Sequence, residues 1–216
     1  MIGICLPTRG MVFTRTVQCI ADGIESLKRH GIDSLLFTTF DLPIPDGHND
    51  CVKRALRYPE IDRILFVEED MFFSPEAFVA LCTTPEPMAT LQYNDKNGRP
   101  HGIIEFDFTG EVVWCGLGAT SVKREVFEKL DQPYFEIKRR WKNIRWNDNG
   151  VVKTRYERVS IDSIYQYGGL DVDFCHRVRE LGFRIANLQE HKAHHFELVE
   201  LGKPHTNQGC HTIRTV

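Results

Sequence analysis

The chain opens on a short apolar run, Ile2-Gly3-Ile4-Cys5-Leu6, closed by Pro7, which predicts a buried strand. Behind it Val17, Ile20, Ile24 and Leu27 recur at spacings of 3, 4 and 3 residues, one face of a helix that stops at Gly31. Residues 34–40, SLLFTTF, are apolar and β-rich, and LPIPDG breaks that run. NDCVKRALRY (49–58) has the make-up of a short helix, and RILFV (63–67) predicts a third strand. Strand, helix, strand, helix, strand with short connections is the pattern of a parallel sheet covered by helices on both faces.

The second half is mixed. Ser74 and Pro75 offer an N-cap and a first helical residue for SPEAFVALC. Strands are expected at PMATLQY (87–93), GIIEFDF (102–108), EVVWCG (111–116) and FRIANL (183–188), with helices at VKREVFEKL (122–130) and DVDFCHRVRELG (171–182). In the last helix Phe174, Val178 and Leu181 form the expected buried stripe. Residues 136–168 show no clear periodicity and read as a long functional or flexible loop. A chain of 216 residues is of single-domain size.

Composition adds three constraints. The start has no basic region leading into a long apolar stretch, and no window reaches the roughly 18 apolar residues of a membrane span, so a cytoplasmic protein without a membrane anchor is expected. Seven scattered cysteines, an odd number with no CxxC pair, suit free thiols in a reducing compartment. The formal charge is only −3, yet residues 138–158, KRRWKNIRWNDNGVVKTRYER, set eight Lys or Arg against Asp148 and Glu157, a local net of +6 with aromatic residues interleaved.

Glu68, Glu69 and Asp70 follow the third strand directly, at the carboxyl end where ligands of open α/β sheets bind. Alternation along extended backbone would aim Glu68 and Asp70 at one point and Glu69 elsewhere. A hard divalent cation, Mg²⁺ or Mn²⁺, held by one or two carboxylates and by substrate phosphate oxygens would relieve their repulsion. On charge alone a solvated acidic turn explains the same residues.

The stretch LFVEEDMFFSPEAF resembles the DxD segment of nucleotide-sugar-dependent glycosyltransferases with the GT-A (Rossmann-like) fold, and most of all their family-two-like members. The resemblance implies a single α/β domain with a mixed central sheet and helices on both faces. Residues 1–95 would be the nucleotide-sugar half and 96–216 the acceptor half. Asp70 stands at the second Asp of the motif and Glu68 at the first, so both are expected at the metal. ICLPTRG is similar to the family's opening strand and loop, which implies Pro7, Thr8 and Arg9 in the donor pocket, with Asp41, Asn49, Glu68 and Glu69 beside them. In PIPDGHNDCVKRAL, His48 replaces the arginine of the family's Arg-Asn pair.

CGLGATSVKREVFEKL resembles the small-residue stretch bordering the acceptor, which implies Gly116, Gly118 and Ala119 there. GGLDVDFCHRVRELGFRI matches the segment whose acid is the general base, and Asp171 takes that position although Leu170 replaces the preceding Glu. Asp173 is expected at the acceptor. A carboxylate at a helix start is held in its charged form by the helix dipole, which makes a reliable but weak base, and burial would counter that. The family adds a histidine ligand from beyond the last core strand; His194 fits best, with His195 the alternative. A zinc site from the tail histidines and Cys210 competes but has no regular spacing.

The implied reaction moves a sugar, most naturally from a UDP-sugar, onto an acceptor hydroxyl with inversion, Asp171 accepting the proton. The basic segment, with Arg139, Arg140 and Trp141, suggests a polyanionic acceptor, and hydroxymethylated pyrimidine in DNA is the favoured one, as for some viral glycosyltransferases. A flap over the donor phosphates is the alternative role for that segment. Two other classes compete: a nucleotidyltransferase, disfavoured by the absence of clustered glycines in LPTRGMVF, and a non-catalytic nucleic-acid-binding module, which has no need of EED and LDVD together.

Overall fold

Alternate side chains of the first strand serve opposite faces of the sheet: Ile2, Ile4 and Leu6 enter one apolar cluster and Cys5 the other. The computed structural model describes residues 1–94, 104–137, 141–148, 151–158 and 169–196, without the side chains of 94, 141–148 and 151–158. The elements run β1 (Ile2–Leu6), α1 (Thr14–Arg29), β2 (Ser34–Thr38), α2 (Asp46–Ala55), β3 (Arg63–Val67), β4 (Met71–Phe73), α3 (Pro75–Thr83) and β5 (Met88–Asn94). They continue with β6 (Ile104–Phe106), β7 (Val112–Cys115), β8 (Ala119–Lys123), α4 (Arg124–Lys129), β9 (Trp141–Asp148), β10 (Val151–Arg158), α5 (Leu170–Glu180) and β11 (Ile185–His195).

Seven strands form one mixed sheet in the order β2-β1-β3-β8-β5-β11-β4. Strands β8 and β4 run antiparallel to the others. Both β1 and β3 are buried at all five positions, as central strands covered on both faces must be. On one face Leu65 and Val67 meet Cys19, Ile20 and Leu27 of α1 and Phe78 and Leu81 of α3. On the other, Ile64 and Phe66 meet Val52 of α2, Phe127 of α4 and Phe174 and Val178 of α5. The result is the expected single α/β domain with helices on both faces.

Where the pattern misled, packing explains it. Val17 is 54% exposed and Leu181 41% exposed, so neither belongs to its helix's buried stripe. The face of α1 that packs inward includes Cys19 and Gly23, because a Cβ on Gly23 would sit 2.4 Å from Phe78 and only glycine lets α1 approach α3 that closely. Ser74 does cap α3, accepting from the Ala77 amide at 3.2 Å.

Strand β8 escaped prediction. It is buried on both faces but built from Ala119, Thr120 and Ser121, so it shows neither an apolar run nor an alternation. Its hydroxyls are satisfied inside: Thr120 donates to the Gly116 carbonyl at 2.8 Å and Ser121 to the Leu81 carbonyl at 2.6 Å. The basic segment also differs from the expected loop, since β9 and β10 form a two-stranded antiparallel ribbon. The six described cysteines are free and buried, and Cys210 lies outside the described residues.

Candidate functional site

At the end of β3 the chain makes a sharp corner. The Glu68 amide donates to the Gly118 carbonyl at 3.2 Å, the Met71 amide donates back to the Glu68 carbonyl at 3.2 Å, and the chain returns at once as β4. Met71 and Phe73 are buried, so this corner is pinned by core side chains, unlike a solvated acidic turn. Strand β11 pairs antiparallel with β4, setting His195 opposite Met71 and His194 opposite Phe72. The Phe196 amide donates to the Asp70 carbonyl at 2.8 Å, which ties the end of that pairing to the corner.

Each acid has a different polar neighbour. Glu69 turns back to the loop after β1: it accepts from the Thr8 hydroxyl at 2.9 Å, the Arg9 amide at 3.1 Å and the Arg9 guanidinium at 2.6 Å. Burial alone would raise its carboxyl, but these hydrogen bonds outweigh burial and hold it below the ordinary value. Asp70 Oδ2 lies 3.1 Å from His195 Nε2, while Asp70 Oδ1 is buried with no hydrogen-bond partner among the described residues. Glu68 Oε1 lies 3.6 Å from His48 Nε2. A Cβ on Gly118 would come within 2.8 Å of Glu68 Oε2, so the missing side chain is what admits that carboxylate.

Asp171 stands in the first turn of α5. Burial first, and then the Glu68 charge, push its carboxyl up to about 8, so both outweigh the helix dipole that would favour the ion. Tyr93 is buried at the same place, and its hydroxyl accepts from the Ala119 amide at 2.6 Å. Burial, followed by the Glu68 charge, raises that phenol well above its ordinary value.

Pro7, Thr8, Arg9, Glu68, Glu69 and Asp70, all singled out from sequence, line one small open cavity together with Leu42, Ile44, Gly47 and His48. Asp41 is exposed and not among its lining residues, with φ of 54°, and it faces Gly10. Asn49 is not among the residues lining this cavity: its amide donates to the Phe135 carbonyl at 2.8 Å and accepts from the Phe135 amide at 3.1 Å, a clip between α2 and residues 131–137. Gly116, Gly118 and Ala119 are buried behind Glu68 and Tyr93, so they shape the corner from within and do not form an open acceptor surface. Asp173, expected at the acceptor, is wholly buried, 4.0 Å from Arg177. The register sets the two candidate histidines apart: the His194 ring packs on Phe72, centroids 6.3 Å apart, and His195 meets Asp70. Arg139, Arg140, His205 and His211 lie outside the described residues, as does the side chain of Trp141.

His48 and Tyr93 are the site residues that motif matching passed over. Tyr93 stands at the end of a predicted strand and His48 just before a predicted helix, so their positions were visible and their chemistry was not.

Among the described residues no group of three or more His, Cys, Asp or Glu side chains is gathered for a metal ion. A divalent cation held by one or two carboxylates, with phosphate and water oxygens completing its shell, needs no such group. The buried, unpartnered Asp70 Oδ1 fits that mode, since a buried carboxylate oxygen without a partner is costly unless a cation or donor reaches it.

No family profile matches this chain, and no curated protein matches it. Among solved structures it is similar to A197 from STIV, with 21% identity over 91% of this chain and 86% of that one and a TM-score of 0.54. It is also similar to GalNAc-T7, solved with UDP, GalNAc and Mn²⁺, with 7% identity over 93% of this chain and a TM-score of 0.55. This chain spans 44% of the length of that one. The inositol-1-phosphate CTP transferase from T. maritima matches with a TM-score of 0.47, too low to carry an argument. At these identities the likeness establishes the fold: a mixed α/β sheet of the GT-A kind. Among the described residues no helix is long and apolar enough to cross a membrane.

Proposed function

We propose that this chain is a metal-dependent glycosyltransferase that takes a sugar from a nucleotide-diphosphate donor, with a UDP-sugar favoured. The observation that carries the reading is Asp70 Oδ1, a buried carboxylate oxygen without a partner, at the carboxyl end of β3 in a cavity also lined by Thr8, Arg9, Glu68 and Glu69. Support comes from the shared fold with GalNAc-T7, whose structure holds UDP and Mn²⁺.

In this reading Asp70 and Glu68, with His195 beside them, hold Mn²⁺ or Mg²⁺, which when bound neutralises charge on the departing diphosphate. Glu69 fixes Arg9 at the rim of the cavity before any donor arrives, so the guanidinium is preorganised for phosphate or base. As the acceptor oxygen attacks the anomeric carbon, the bond to the diphosphate breaks and Asp171 takes the hydroxyl proton. A carboxyl raised to about 8 is a stronger base than an ordinary aspartate, which suits that step. Attack opposite the leaving group gives inversion.

The acceptor reading rests on the net +6 of residues 138–158, half of it from the β9-β10 ribbon and half from residues 138–140, and favours a polyanion such as hydroxymethylated DNA. Replacing Arg139, Arg140 and Lys142 with Ala should then weaken acceptor binding and flatten its salt dependence, and unchanged kinetics on DNA would discard it.

A thermal-shift panel of nucleotide sugars with and without Mn²⁺ tests the main reading. One donor at about 100 times its Kd should stabilise the fold by roughly 2.7 kcal/mol, a rise of a few degrees, and EDTA should abolish it. Equal stabilisation with and without EDTA would count against metal dependence, and no response to any nucleotide sugar would sink the assignment.

A further inference from the structure

His48 sits in the first turns of α2, and its ring is fixed before any ligand arrives. Asn49, its neighbour, is clipped to both backbone groups of Phe135. The His48 ring lies stacked 5.9 Å from Phe66 and tilted 5.4 Å from Phe135. It is 1% exposed, and neither ring nitrogen has a hydrogen-bond partner among the described residues. Buried polar atoms are rarely left so, and a pair of orphaned nitrogens at the edge of a cavity points to an unmade contact there.

The nearest candidate is Glu68, whose Oε1 is 3.6 Å from Nε2, a few tenths of an ångström beyond a hydrogen bond. The other carboxylate oxygen, Oε2, occupies the space that a side chain at Gly118 would need. A neutral imidazole facing a carboxylate must present N–H to it, since two lone pairs repel. The other two acids of the corner already have such partners: Thr8 and Arg9 for Glu69, His195 for Asp70.

We infer that His48 is a positioning residue, whose Nε2–H holds Glu68 Oε1 and so keeps Glu68 at the cavity it shares with Asp70, for the donor's cation. One carboxylate oxygen has two acceptor sites, so Oε1 can accept from His48 and still face a cation. A hydrogen-bonded outer partner orients a ligating group and raises its affinity for the metal. This residue does at Glu68 what Arg9 does at Glu69, but from a buried aromatic slot. The inference rests on the reading of Asp70 and Glu68 as the cation corner.

Two measurements separate the failure of one from the failure of the other. In the free protein, long-range ¹H–¹⁵N spectra of the imidazole rings report which nitrogen of His48 carries the proton. Nε2–H is expected, with its signals shifting in Glu68→Ala. A ring protonated on Nδ1 alone, or one indifferent to Glu68→Ala, overturns the inference whatever the protein binds. The second measurement is Mn²⁺ titration in the presence of UDP. His48→Phe keeps the packing between Phe66 and Phe135 and should weaken Mn²⁺ about 10- to 100-fold with little change in Tm. His48→Gln, which sets an amide N–H near Nε2, should recover most of that loss. Wild-type affinity in His48→Phe, or a folded His48→Gln as weak as His48→Phe, overturns it. Absence of Mn²⁺-dependent UDP binding in the wild type overturns the functional reading instead, and the spectra alone then decide the hydrogen bond.

Discussion

Nε2 of His195 lies 3.1 Å from Oδ2 of Asp70, while Oδ1 of the same carboxylate has no hydrogen-bond partner among the described residues. One oxygen has a polar neighbour; the other, on the proposed metal-binding reading, is the oxygen that takes the cation. Asp70→Asn should therefore lower Mn²⁺ affinity in the presence of UDP by roughly 100-fold while changing fold stability by less than about 1 kcal/mol. His195→Ala should cost about tenfold in the same titration. Isothermal calorimetry reads both; unaltered Mn²⁺ binding in Asp70→Asn would remove Asp70 from the metal.

Asp171 gives a pH signature with a definite sign. Its folded pKa of about 8 is raised above the unfolded value, so the folded chain holds this proton more tightly. The resulting stability is fully present below the unfolded pKa, about 3.9, and is lost as pH rises through about 8. Asp171→Asn has no such proton. Its Tm relative to wild type should climb between about pH 4 and about pH 9, and a flat difference would contradict the raised carboxyl.

The same substitution separates binding from chemistry. Asp171→Asn should leave UDP and Mn²⁺ affinity near wild type and lower kcat about 100- to 10,000-fold, the range of a lost general base. In the wild type kcat/KM should rise with pH as the carboxyl ionises. Full transfer activity in Asp171→Asn would end its assignment as the base.

The Arg9–Glu69 pair contributes little to folding, because the Arg9 side chain is 66% exposed. Glu69, held below its ordinary value, adds stability above its unfolded pKa that is lost as pH falls through the folded one. Arg9→Ala should shift stability by less than about 1 kcal/mol yet weaken UDP binding about tenfold, since one charge-assisted contact is removed. A large drop in Tm with unchanged UDP affinity would show the pair to be structural.

Two glycines should fail in different ways. Gly23→Ala places a Cβ 2.4 Å from Phe78 and should destabilise the fold by about 1–3 kcal/mol through overpacking, without altering ligand affinity per folded molecule. Gly118→Ala places one 2.8 Å from Glu68 Oε2 and should displace that carboxylate, lowering Mn²⁺ affinity. Normal Mn²⁺ titration of Gly118→Ala would mean that the exact seat of Glu68 is unimportant.

Strands β1 and β3 were legible because strands buried on both faces show as unbroken apolar runs, as RILFV does, while β2, a partly buried edge strand, was legible from its β-rich residues. Strand β8 was not, since Thr120 and Ser121 satisfy their hydroxyls internally and disguise a central strand as a turn. The β9-β10 ribbon had a local signal in Asn149-Gly150, a hairpin dipeptide overshadowed by the density of charge around it. At the site, the acids were readable from their position after β3. The Asn49 clip to Phe135 joins residues 86 apart in sequence, and β-pairing register alone decides which of His194 and His195 faces Asp70, so neither arrangement is readable from motif order.

Strand β11 reaches β4 only after nearly the whole of the described chain has been laid down. On the ribosome Thr8, Arg9 and Glu69 emerge early, whereas the histidine beside Asp70 emerges much later. A half-made molecule therefore lacks the finished acid–histidine pair, and the order of synthesis itself delays assembly of the corner until the last strand is threaded into place.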